Sequence, residues 1–227
     1  MTSHALLFDV FGTVVDWRGS IIDSGVRPGV DADWGAFADE WRREGYLEPL
    51  TAYHRGSVPW RTHDELMAAH LPVLAERHAI PVQHHPTLLE AWHGLRPWPD
   101  AVAGLERLRT NYLLGPLSNG GFRQLAQMGK AAGLPWDVIV STDLFRTYKP
   151  DPVTYLGAAE LLDLAPAEVV LVAAHPADLR AAASCGLGTA YVPRPGEWGP
   201  DGPAPEITDE FDVVVADFGE LATAFGC

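Results

Sequence analysis

The 227-residue sequence is short of lysine, cysteine and positive charge, and each shortage narrows what the chain can do. Lys130 and Lys149 are its lysines, so almost every basic side chain is an arginine and each lysine invites a specific question. Thirty acidic residues face 16 basic ones, a formal net charge of −14. No basic excess is left to displace counterions from nucleic acid or from an anionic membrane, and an anionic substrate would need a local basic pocket. Cys185 and the terminal Cys227 cannot build a disulfide framework and suit a reducing cytoplasm. No run approaches the roughly 18 apolar residues of a membrane span, and the N-terminal residues lack a basic region followed by a long apolar stretch, which argues against membrane insertion and secretion. There is no internal repeat, and the one low-complexity stretch, the Pro/Gly-rich 193–205, reads as a surface loop.

What is present is an apolar content of 47%, enough for one α/β domain with an insertion or for two modest domains. The most informative segment is Leu6-Leu7-Phe8-Asp9-Val10-Phe11-Gly12-Thr13. Its apolar run is too short for a buried helix, and Gly12 ends it where the backbone must turn. Asp9 therefore sits at a strand end, where two roles suit it: a nucleophile presented from the sheet, or a cap for whatever follows.

After this strand the residues from about 31 to 95 are rich in Trp, His, Ala and Glu at helical spacing. Three helices are predicted: 33–47, with Trp34, Phe37, Trp41 and Tyr46 at helical intervals; 62–78, opened by a Thr62 to Glu65 capping box and kinked or divided at Pro72; and 87–95. From 101 onward helices (101–109, 121–132, 152–162, 178–185) alternate with strands (112–117, 138–141, 169–174, 189–192), and 213–216 is a candidate edge strand. That alternation predicts a doubly wound parallel sheet covered on both faces. The helical segment is then an insertion, giving a core of 1–16 and 98–227 and a helical cap of 17–97.

In open parallel sheets, ligands collect at the carboxyl ends of the strands. Reading just beyond each strand collects Asp9 and Thr13, then Ser118 and Asn119, then Lys149, then His175 and Asp178. These four segments, Asp9-Val10-Phe11-Gly12-Thr13, Leu117-Ser118-Asn119-Gly120, Tyr148-Lys149-Pro150-Asp151 and Val172 to Asp178, resemble in order and spacing the signatures of the haloacid dehalogenase superfamily. The resemblance covers nearly the whole chain, including an insertion where that superfamily places its cap, and it implies the Rossmann-like core of that superfamily.

Two departures from the superfamily's phosphatases bear on function. Phe11 stands where they carry an acid that protonates the leaving group, and Ala174 stands where they carry a Mg²⁺ ligand. Without general acid or metal, phosphoryl transfer loses most of its charge stabilisation. Halide is a leaving group that needs no proton, and the chain resembles in particular the L-2-haloacid dehalogenases, which implies metal-independent, cofactor-free hydrolysis of a small anionic 2-haloacid by water. The resemblance implies Asp9 as nucleophile, Thr13 and Ser118 as its hydrogen-bond partners, Lys149 as its electrostatic partner, Tyr155 and Asp178 nearby with Asp178 close to the hydrolytic water, and Arg42 with Asn119 as the halide cradle. Val10, Phe11 and Trp60 are expected to line the substrate pocket, although a tryptophan in a cap is more often a packing residue. Several relatives carry Asn where this chain has His175, which leaves His175 as either a base or a fixed hydrogen-bond donor.

Plainer roles compete. Arg42 and Arg43 could both be surface ion pairs, Asp178 could cap its helix, and Ser118 and Asn119 could cap the helix entering at Gly121. The histidines, His84-His85 included, lack metal-ligand spacing and read as scattered surface or interface residues. The rival functions are a Mg²⁺-dependent phosphatase of the same superfamily and a non-catalytic small-acid binding protein. An aromatic-rich cap is also a candidate homodimer interface.

Overall fold

An apolar strand without polar alternation must be covered on both faces, and β1 (Ala5–Phe8) is fully buried along its length. The structure, a computed structural model, describes residues 4–26, 29–206 and 208–227. After β1 the chain runs through β2 (Val15–Asp16) into helices α1 (Trp17–Val26) and α2 (Trp34–Arg42). A π-helical turn (Arg43–Leu47) then leads without a break into α3 (Glu48–His54). Next come α4 (His63–Arg77), α5 (His85–Ala91) and β3 (Arg96–Pro97). The remainder alternates: α6 (Ala101–Leu108), β4 (Leu113–Ser118), α7 (Phe122–Ala132), β5 (Val140–Ser141), α8 (Pro152–Leu161), β6 (Val169–Ala173), α9 (Pro176–Ser184), β7 (Gly188–Tyr191), β8 (Val213–Val214) and α10 (Phe218–Ala224).

The sheet is parallel, with strand order β5-β4-β1-β6-β7-β8. Strand order reverses around β1, which pairs β4 on one side and β6 on the other, so the carboxyl end of β1 opens onto the topological switch point where such sheets bind ligands. The chain leaves for the helical insertion through β2 and returns through β3, and these two strands pair antiparallel as Val15 with Pro97 and Asp16 with Arg96.

The insertion holds more helix than its periodicity predicts. The pattern of 33–47 continues through the π turn into α3, and α1 forms in a stretch containing Gly19 and Gly25, held by the buried Trp17 and Ile21. Thr62 and Glu65 make the reciprocal capping box. Pro72 does not divide α4, which runs unbroken through it: the proline lies on the exposed face, where water can satisfy the carbonyl its missing N–H leaves free. The cap aromatics Trp34, Phe37, Trp41 and Tyr46 are all buried inside the insertion. No helix among the described residues is long and apolar enough to cross a membrane.

Candidate active site

Asp9 follows β1 directly and keeps the strand's register by donating its amide to the Val172 carbonyl at 2.9 Å. Its carboxylate is 7% exposed and accepts three hydrogen bonds. Oδ1 takes the Lys149 ammonium at 2.9 Å, while Oδ2 takes the Thr13 hydroxyl at 2.7 Å and faces His175 Nδ1 at 2.9 Å. Thr13 is fixed in turn, because its oxygen accepts the Ala174 amide at 2.9 Å. Burial raises the Asp9 carboxyl, but Lys149 and His175 outweigh it and hold the group well below the usual carboxylate range.

Lys149, in the loop after β5, also reaches Asp178 Oδ2 at 2.5 Å, and the Tyr155 hydroxyl donates to Asp178 Oδ1 at 2.5 Å. Burial lowers the Lys149 ammonium, yet Asp178 and Asp9 together raise it above the ordinary lysine range, so it stays charged. Burial and Asp178 both push the Tyr155 phenol up, which keeps it a donor. Asp178 does not cap α9: His175 occupies the N-cap position, and both Asp178 oxygens are engaged by Lys149 and Tyr155.

Ser118 and Asn119 do not cap α7 either. The Gly121 amide that opens α7 bonds the Gln124 side chain, while Ser118 Oγ accepts the Gly120 amide at 3.1 Å. Asn119 Oδ1 accepts the Lys149 amide at 2.8 Å and the Thr142 hydroxyl at 3.2 Å. That fixes the amide's orientation and turns its NH₂ toward the Tyr46 hydroxyl.

Arg42, on α2, is 7% exposed, and its Nε and Nη1 have no hydrogen-bond partner. The guanidinium lies instead over the rings of Tyr46 (4.6 Å), Phe11 (5.2 Å) and Trp17 (5.5 Å). Burial lowers its pKa against the opposing charges of Glu197 and Asp9, but an arginine starts so high that it remains a cation. Arg43 behaves as the plainer role predicts, pairing on the surface with Glu44 and Glu48. Burial also raises the Tyr46 phenol to about 12, so it is neutral under the guanidinium.

These groups border one cavity of about 400 Å³. Asp9, Ser118, Asn119, Lys149, His175 and Asp178 line it from the sheet end; Phe11, Arg42, Tyr46, Leu47 and Leu50 wall the other side. Of the residues expected there, Trp60 is elsewhere: it tilts against Tyr148 and under Arg146, so its part is packing. Val10 points into the hydrophobic core, and Tyr155 touches the site only through Asp178. His63 is fully buried and stacked on Phe11 at 5.0 Å, which corrects the view of it as a surface histidine.

The 193–205 loop is the other correction, since it brings Glu197 and Trp198 into the cavity wall. Glu197 is 7% exposed and accepts from Trp17 Nε1 at 3.1 Å, and its two oxygens lie 3.0 and 3.2 Å from His175 Nε2. Arg194 anchors the loop by donating to the Thr13 carbonyl and to Asp100. Gly12, at φ +85°, lets the two chains close up: a Cβ there would meet the Glu197 carboxylate at 2.2 Å. Glu197 lies in the loop beyond the carboxyl end of β7, as Asp9 lies beyond that of β1, and this position is the sequence signal that marks it.

Residues 4–186 match the family model for haloacid dehalogenase-like hydrolases. The chain belongs to that family. (S)-2-Haloacid dehalogenase 4A of Burkholderia cepacia is 30% identical over 200 residues, 85% of this chain and 84% of that protein. Among solved structures, the L-2-haloacid dehalogenase PA0810 superposes with a TM-score of 0.93 at 38% identity, covering 98% of this chain and 99% of that one. The defluorinating L-2-haloacid dehalogenase Rha0230 gives 0.91 at 41% identity, covering 99% and 96%. The Mg²⁺ of the family's phosphatases does not fit the residues of this haloacid dehalogenase-like hydrolase. Ala174 offers only a methyl group as a side chain, and no three His, Cys, Asp or Glu side chains among the described residues are grouped so as to hold a metal ion.

Proposed function

We propose that the protein hydrolyses small 2-haloalkanoic acids, of the haloacetate or 2-halopropionate class, to the 2-hydroxy acid and halide through an ester on Asp9. One observation carries this reading: an ionised, buried carboxylate faces an unpartnered buried guanidinium across a small cavity in which no acid replaces Phe11. Asp9 Oδ1 carries one donor and Oδ2 two, so Oδ1 keeps the freer lone pair for attack. That oxygen bonds the α-carbon as the carbon–halogen bond breaks, and the bonding pair leaves with the halide. Arg42 and the Asn119 NH₂ stabilise the charge that grows there. Water then adds to the Asp9 carbonyl carbon and yields its proton to Asp178, whose oxygens keep lone pairs beyond those given to Lys149 and Tyr155. Collapse breaks the bond to the substrate oxygen, which takes the proton and leaves as hydroxy acid.

The test is halide release from fluoro-, chloro- and bromoacetate and from each 2-chloropropionate enantiomer, combined with one turnover in ¹⁸O-water. Asp9 should gain the label while the first product carries protein oxygen; label entering the first product directly would overturn the ester. Phosphate-ester hydrolysis abolished by chelator would instead support the phosphatase, and tight haloacid binding without halide release the non-catalytic binder. The proposal includes a cap of 17–97 on a core of 1–16 and 98–227, a cytoplasmic location and no nucleic-acid or membrane partner. A homodimer belongs to it too, its interface on the cap supplied by aromatics other than the buried Trp34, Phe37, Trp41 and Tyr46; light scattering tests this.

A further inference from the structure

His175 lies between two carboxylates. Nδ1 faces Asp9 Oδ2 at 2.9 Å and Nε2 faces both Glu197 oxygens at 3.0 and 3.2 Å. An ionised carboxylate only accepts, so each ring nitrogen must donate, and a ring that donates from both nitrogens is an imidazolium. Such a ring has no lone pair with which to accept a proton from water.

We infer that Glu197 is a positioning residue that holds His175 doubly protonated, so that His175 serves as a hydrogen-bond donor to Asp9 throughout the reaction and is not the base. This rests on the ester reading above and assigns a role that reading leaves open. Esterification removes the charge of Asp9, one of the ring's two anionic partners. Glu197 is then the anion still bonded to the imidazole, and it keeps the second proton in place. When water adds to the ester carbon, the carbonyl π pair moves onto Oδ2, the oxygen that Thr13 Oγ1 and His175 Nδ1 already address. These two donors form the oxyanion hole of the hydrolytic step, and the water proton goes to Asp178.

The groups around the ring support this division of labour. From β1 the ring meets Asp9 and from the loop after β7 it meets Glu197, with Lys149 and Asp178 beyond Asp9 and Arg42 on the far wall. Burial alone lowers the imidazole, but Asp9 and Glu197 raise it to about 10. Glu197 is itself fixed, by the Trp17 indole and by the space that Gly12 leaves.

Two measurements on the full chain decide the matter. In ¹⁵N-imidazole spectra, with His175 assigned by its loss in His175→Asn, the wild-type ring should stay doubly protonated from pH 6 to 9. In Glu197→Gln, which keeps an acceptor for Trp17 but no charge, the ring should titrate at least one unit lower, about a tenfold loss of proton affinity. In single-turnover quench with 2-chloropropionate, this variant should release halide in a burst and accumulate the Asp9 adduct by intact mass, with hydrolysis slowed about tenfold or more as pH rises. A neutral wild-type ring at pH 7, or a Glu197→Gln enzyme with unchanged titration and unchanged hydrolysis, would overturn the inference. Absence of halide release by the wild type would defeat the functional reading instead, and the wild-type spectra would still decide the protonation of His175.

Discussion

The Lys149 ammonium rests 2.9 Å from Asp9 Oδ1, and both side chains are about one-tenth exposed. A carboxylate so enclosed would ordinarily pick up a proton, because burial disfavours its charged form. The ammonium reverses that preference without touching the oxygen's remaining lone pairs.

Replacing Lys149 with Met removes one of the two cations that keep Asp9 ionised, His175 being the other, together with the partner of Asp178. Halide release should fall by about a thousandfold or more. Folding stability should drop by ~3–5 kcal/mol, since Asp9 and Asp178 lose the ammonium they share. Steady-state kinetics and urea unfolding at pH 7.5 measure the two effects.

Arg42 separates function from stability. Its guanidinium is buried without an acceptor, a cost that the folded chain carries for its ligand. Arg42→Leu should abolish halide release yet leave the melting temperature unchanged or raised, because an apolar side chain suits the surrounding rings. Chloride or a haloacid should stabilise the wild type against heat and leave this variant unmoved.

The pH dependence of stability has two limbs. The Asp9 pKa is lowered by folding, so its contribution is present above the unfolded carboxylate range, about 3.9, and is lost as pH falls through the folded value. The His175 pKa is raised to about 10, so its contribution is complete below its unfolded value, ~6.5, and is lost as pH climbs towards 10. Urea midpoints should decline between pH 7 and pH 10 in the wild type, and the decline should be shallower in His175→Asn.

Gly12→Ala should cost about 1–3 kcal/mol, as its left-handed φ and the Glu197 carboxylate both oppose a Cβ. In a double-mutant cycle with Glu197→Ala, part of that cost should be recovered, because the steric share vanishes and the backbone share persists. Equal costs in both backgrounds would show that the carboxylate does not press on residue 12.

Much of the site was legible because an α/β sheet gathers its strand ends. Asp9, Thr13, Ser118, Asn119, Lys149, His175 and Asp178 are far apart in sequence, and period alone places them together. Arg42 could be separated from Arg43 only by resemblance, since adjacent residues on a helix share a local pattern and differ in the face they present. Trp60 was misplaced for a similar reason: an aromatic side chain fits a pocket wall and a packing contact equally well, and only tertiary structure chooses. Glu197 is masked by the prolines and glycines around it, which mark the lack of regular structure, not exposure. The same weakness hid α1 and α3, where burial of Trp17 and continuation through a π turn outweigh poor local propensity.

The loop that carries Glu197 also changes the electrostatic character of the cavity. With it, three carboxylates (Asp9, Asp178 and Glu197) meet three cationic side chains, Arg42, Lys149 and the protonated His175. The chamber is formally neutral inside a protein of charge −14. A monoanionic acid that reaches it leaves a repulsive exterior for a neutral interior whose one unpaired guanidinium awaits it, so added salt, by screening the exterior, should assist capture more than it weakens binding.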